Sequence, residues 1–185
     1  MRDKRGSFMT FGTDRAVESL IAELNKGIAI TRRLDDLEFT SGRDGGSSIG
    51  AHIRHNLDFV DALLNGIAER RVDYNARARD ARVEMDREHA AAKLSFACSR
   101  LKSLSPELVA TFVMVRSELN EEMWHASSVS REIEFLHSHT VHHYALISRM
   151  IAGTGRSVSR DLGVAPSTLR FRSDSGMQKV CAGNH

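Results

Sequence analysis

From Thr13, a residue able to cap a helix, Val17, Leu20, Ile21, Leu24 and Ile28 recur at helical spacing to about Leu34. This pattern predicts a first long helix. The stretch TSGRDGGSSIG has no apolar period and reads as a loop; Ser47 or Ser48 then caps a second helix striped with Ile49, Ile53, Leu57, Val60, Leu63, Leu64 and Ile67. A charged connector, ERRVDYNARARD, leads to a third helix over residues 81–103, where Ala91, Leu94, Cys98 and Leu101 turn inward and Ser105–Pro106 closes it. The period changes at VATFVMVRS, which is rich in β-branched and aromatic residues, and MWHAS follows as a second short strand, so a short β-hairpin is expected. Ser128 and Ser130 offer caps for a fourth helix over 131–152, with Ile133, Leu136, Val141, Leu146, Ile147 and Met150 apolar. Gly153 and Gly155 end it, and Arg149 complements its dipole.

Four helices of usable length with short connections predict a mainly all-α chain built as a four-helix bundle, with the hairpin before the fourth helix. Residues 1–12 are polar, without a period, and read as a flexible tail. Residues 13–153 form the bundle domain. Residues 154–185 are expected to be an extension packed on it. There is no repeat of fixed period.

Composition narrows the classes of function. The 185 residues are 41% hydrophobic and 27% charged, enough for one domain with a real core. The 26 basic and 24 acidic side chains give a formal charge of +2, which carries no electrostatic footprint for nucleic acid or a membrane surface. The N-terminal segment has basic residues but no apolar core after them, and no apolar run reaches membrane-spanning length, so the expected address is cytoplasmic. Cys98 and Cys181 are too few and too isolated for a disulfide framework or a Cys-rich zinc site. Cys98, on an apolar helix face, reads as a buried inert thiol. Cys181, in the tail KVCAGNH that ends at His185, reads as exposed.

The chemistry concentrates in histidine. Six of the nine histidines fall in two clusters, His52 and His55 in AHIRHNLDF, and His137, His139, His142 and His143 in FLHSHTVHHYALI. His139 and His143 stand one helical turn apart on one face, a metal-ligand spacing, and an imidazole from the first cluster on a facing helix would complete a three-histidine site with open coordination positions. An isolated HxxxH pair is more often incidental on a solvated face. The second cluster on another helix is what favours the metal reading here. Thr140 stands where HExxH proteases carry glutamate, which argues against peptide hydrolysis of that type. His137 and His142 lie off the His139–His143 face and read as neighbours or surface groups. Asp58, one turn beyond His55, could orient a ligand imidazole, or sit as an exposed carboxylate.

The segments SIGAHIRHNLDF, VDYNARARDARVE (with Tyr74, Arg77, Arg79, Asp80 and Glu84) and REIEFLHSHTVHHYALI resemble the DinB superfamily of metal-binding four-helix bundles, over most of residues 13–170. Family members carry one histidine seven residues after the serine of a SIG-like start and an HxxxH pair on the fourth helix. That pattern picks out His55, His139 and His143 as ligands; His52, Asp58 and His142, from the residue reading above, are the candidates to stand around them. The resemblance implies a divalent metal (zinc, nickel, iron or manganese), a homodimer, a small-molecule substrate and, as in some relatives, transfer of a low-molecular-weight thiol. Other relatives are maleylpyruvate isomerases or domains of sulfur-linking enzymes. Where the family continues with an RGQ-like run after the second ligand, this chain has Tyr144, Ala145 and Leu146. A metal would bind such a thiol's sulfur and lower its pKa. Arg77 or Arg79 would then be candidates to anchor an anionic part of the thiol, although connector arginines more often make salt bridges.

Two other classes compete. A non-catalytic metal-binding or interaction bundle would keep the histidines without turnover. A DNA-binding reading rests on LGVAPSTLR, which resembles the turn and recognition half of a helix-turn-helix. The space between Gly155 and Leu162 is too short for the preceding helix. A Gly turn followed by a short helix started by Pro166 is the simpler expectation.

Overall fold

The computed structural model describes residues 10–42 and 46–181, with side chains described over 15–42 and 46–175. Most of the tail expected over 1–12, and His185, lie outside the described residues. So does the side chain of Cys181. Among the described residues the chain is mainly helical with one small sheet. Its elements are α1 (Thr10–Arg33), α2 (Asp36–Thr40), α3 (Ile49–Gly66), β1 (Arg71–Val72), α4 (Ala81–Met85), α5 (Arg87–Lys102), α6 (Pro106–Val109), β2 (Phe112–Arg116), β3 (Trp124–Ser128), α7 (Val129–Ala152) and α8 (Pro166–Cys181). Two compact units divide within α7, one ending at Thr140 and the other beginning at Val141.

In the first unit α1 packs along α5, and α3 packs on α4 and α5. The expected stripe of α3 is buried throughout, from Ile49 to Ile67, and Ala91, Leu94, Cys98 and Leu101 are buried on α5. On α1, Leu20, Leu24 and Ile28 are buried, whereas Val17 and Ile21 are only half-buried. Ser48 caps α3, its hydroxyl accepting from the Ala51 amide at 2.9 Å. That cap sets where the helix starts, and with it the positions of His52 and His55.

The third predicted helix is broken in two. Asp86 adopts an extended conformation (φ −128°, ψ 105°) and accepts from the His89 amide at 2.9 Å, so it ends α4 and caps α5. An aspartate offers the backbone this alternative to helix. Arg87, next along, donates to the Asp36 carboxylate at 2.6 Å and to the Thr31 carbonyl at 3.3 Å, tying the start of α5 to the α1–α2 corner. α1 also begins at Thr10, three residues before the expected cap.

The hairpin is present as β2 and β3, paired antiparallel with Met114 opposite Ala126. β1, inside the connector, joins β2 in parallel with Arg71 opposite Met114. The Arg71 guanidinium lies 4.0 Å from the Trp124 ring centroid, stacking across the sheet. Ser128 leads straight into α7, its hydroxyl accepting from the Arg131 amide at 3.3 Å.

In the second unit, Ile147 and Ile151 are buried on the later turns of α7, and so is Tyr144, which is fully enclosed. Leu146, one of the apolar positions of this helix, is 37% exposed. Neither residue type decides which face of the helix turns inward. Residues 156–165 form turns rather than a helix, so the segment before α8 does not supply the first half of a helix-turn-helix. At Gly163 (φ +70°) a Cβ would meet the Ala145 amide nitrogen at 2.1 Å, so only glycine allows this turn to lie against α7. α8 starts at Pro166, as expected, and runs for 16 residues.

Candidate metal centre

α3 contributes His55, and α7, one unbroken helix across the unit boundary, contributes His139 and His143 one turn apart. Each offers a ring nitrogen, the three nitrogens lie within 4.8 Å of one another, and all three residues are half-buried. The His55 and His139 rings stack with centroids 5.0 Å apart. Three histidines so placed could hold a metal ion, since imidazole is a ligand of first-row divalent cations through its neutral form. His55 favours that form. Burial pushes its pKa below the usual histidine value, and the Arg77 and Arg54 charges and His52 push it the same way against Glu118.

The other candidates fall into distinct places. His52 shares α3 with His55, one turn earlier, and is half-buried. His142 is exposed and meets the His143 ring edge-on at 5.4 Å. His137, off the ligand face, is near Glu23 and Lys26 of α1, and burial lowers its pKa. Asp58 is buried and pairs with Arg54 at 3.2 Å, while Arg54 also binds Glu84 at 2.9 Å. Burial raises the Asp58 pKa against the opposing Arg54 charge and a hydrogen bond from the Arg79 backbone amide. Arg79 itself takes a left-handed conformation (φ 51°) that aims this amide, and its side chain is exposed. Arg77 is built into the wall: it donates to the Tyr74 carbonyl, pairs with Glu118 at 3.5 Å and lies 4.2 Å above the Phe59 ring. Cys98 is a buried free thiol whose pKa burial raises, consistent with an inert core position.

An aromatic wall surrounds the two facing ligands. Phe59 stacks on His139 at 4.5 Å and stands 4.9 Å from His55; Phe135 stands 5.7 Å from His139. Tyr74 stacks on Phe59 at 5.1 Å and donates its hydroxyl to Glu132 at 2.8 Å, and Ser127 donates to the other Glu132 oxygen at 2.6 Å. Glu132 is thus a buried carboxylate held by two hydroxyls. Phe59, Phe135 and Glu132 were not among the sequence candidates. A signal for the two rings existed: Phe59 lies one turn after His55 and Phe135 one turn before His139, on the faces that carry the ligands.

No family model, curated protein or solved structure matches this chain. Among the described residues no helix is long and apolar enough to cross a membrane.

Proposed function

We propose that the chain is a divalent-metal protein of the DinB type, a helical bundle in which His55, His139 and His143 hold the ion and a small thiol or water is activated for transfer to an electrophilic small molecule. The observation that carries this reading is the convergence of three half-buried imidazoles from α3 and α7. When bound, the ion supplies Lewis acidity and lowers the pKa of a coordinated thiol or water. The chain's own residues do the rest. Phe59 and Phe135 exclude water from one side of the ligand rings, and a drier surround strengthens the electrostatics of the centre. Burial of His55, with the charge of Arg77 fixed over Phe59 adding to it, favours the neutral imidazole that can ligate. Tyr74, anchored on Glu132, fixes Phe59 from behind.

The same reading carries assembly as a homodimer and a cytoplasmic location, as the family resemblance implies. The test is turnover by the metal-loaded protein with a panel of low-molecular-weight thiols and electrophiles, set against His139→Ala. A reaction lost with that histidine supports the reading. Loss of metal with no reaction changed would leave the non-catalytic metal-binding bundle in its place.

A further inference from the structure

Along α7, Arg131, Phe135, His139 and His143 follow one another at four-residue steps, each neighbouring pair one turn apart on a shared face. Beside the first two of these opens a cleft of about 570 Å³, bordered by Tyr74, Ser117, Leu119, Ser127, Arg131 and Phe135 among others. That volume suits a small organic molecule. Phe135 lines the cleft and its ring is 5.7 Å from that of His139, so the cleft ends one aromatic ring away from the ligands.

The charges along the cleft are mostly satisfied within the protein. Glu118 is paired with Arg77, and Arg116 with Asp73 at 2.8 Å. The Glu132 carboxylate is taken by the Tyr74 and Ser127 hydroxyls. Arg131 differs: it is exposed at the rim, and among the described residues its guanidinium carries no ion pair. Of the two anion anchors expected from the sequence, Arg77 is held in the wall and Arg79 is exposed, and neither borders this cleft.

We infer that the cleft takes an elongated small molecule with a carboxylate at one end, bound by Arg131, an apolar middle lying on Phe135, and its reacting end at the histidine centre. Eight residues of helix separate Arg131 from His139, about 12 Å at 1.5 Å per residue. Helical side chains lean toward the N-terminus, a direction that carries the guanidinium away from the histidines. The apolar middle follows from the phenyl ring, and the anionic end from a guanidinium whose planar fork matches a carboxylate. The assignment of the reacting end rests on the metal reading above; the anion site does not.

The two parts are tested separately. Calorimetric titration of octanoate and of octanol into the protein, with and without metal, reads the anion site alone. Octanoate should bind about tenfold more tightly than octanol irrespective of metal, Arg131→Gln should abolish the difference, and Arg131→Lys should restore part of it. No preference for the carboxylate, or a preference that survives Arg131→Gln, would overturn the anion site. Titration of ω-mercapto-octanoate into the cobalt-loaded protein should then produce a sulfur-to-cobalt charge-transfer band, as the thiol gives its proton to buffer and its sulfur binds the ion. The band should require about tenfold more ligand in Arg131→Gln. Octanoate binding without such a band would overturn the link between the cleft and the centre. Failure to load cobalt would refute the metal reading while the octanoate result still decides the anion site.

Discussion

Tyr74→Phe removes one hydroxyl from the wall of the candidate centre and leaves the ring. Tyr74 is 4% exposed and Glu132 8%, and the 2.8 Å bond between them is one of two that satisfy the buried carboxylate. A hydrogen bond to a charged group contributes about 1.5–3 kcal/mol, and the phenyl contacts to Phe59 and Phe135 survive the substitution, so the expected cost is about 2 kcal/mol. Burial, then the Glu132 charge, pushes the Tyr74 pKa far above its ordinary value. The hydroxyl therefore remains a donor from neutral to alkaline pH, and the cost should not change across that range. Urea unfolding, with an unchanged m-value, measures it. In a Glu132→Gln background the same substitution removes only a neutral hydrogen bond and should cost about 1 kcal/mol. A loss below about 0.5 kcal/mol in the parent protein, or an equal loss in both backgrounds, would refute the reasoning.

Two further outcomes follow from the scaffold around the centre. At Gly50, in the first turn of α3, a Cβ would stand 2.1 Å from the Glu84 carbonyl oxygen and 2.8 Å from Phe39, so Gly50→Ala should destabilise by about 1–3 kcal/mol in thermal or urea unfolding; a neutral effect would mean that α3 and α4 are not in this contact. At Asp73 burial raises the carboxyl pKa, but the Arg116 bond and charge and the Asn75 and Ala76 amides outweigh it, so the folded value lies below the ordinary 3.8. The folded state therefore binds fewer protons than the unfolded one, and this contribution is full above the ordinary aspartate range and fades as pH falls through the folded value. Asp73→Asn should cost about 1 kcal/mol at neutral pH, allowing for solvent screening of a partly exposed pair, and should flatten the acid side of the stability–pH curve; an unchanged acid side would count against the pairing.

What the sequence revealed and what it concealed divide along the range of the interactions. The helices of α1, α3 and α7 were legible because a buried stripe at helical spacing is a local signal, and the hairpin because β-branched residues cluster on either side of ELNEE. The break at Asp86 was not, since an aspartate can sit on an exposed helix face or cap a new helix, and only the chain's path around Asp36 and Thr31 decides. β1 is two residues long and exists because β2, more than 40 residues later, pairs with it. The histidine spacing pointed to a ligand pair, and the resemblance chose His55 over His52. The Tyr74–Glu132 bond joins residues 58 apart, with nothing local to announce it. Leu146 and Tyr144 show the same limit on a single helix, where hydrophobicity favoured the residue that is exposed over the one that is buried.

The most direct measurement is the metal content of the purified protein by elemental mass spectrometry, alongside His55→Ala and His143→Ala. With His55, His139 and His143 as ligands, the parent protein should carry about one divalent ion per chain, and either substitution should remove it while the helical circular dichroism is retained. Stoichiometric metal surviving both substitutions, or a parent protein that takes up none from zinc, nickel, iron or manganese, would contradict the centre.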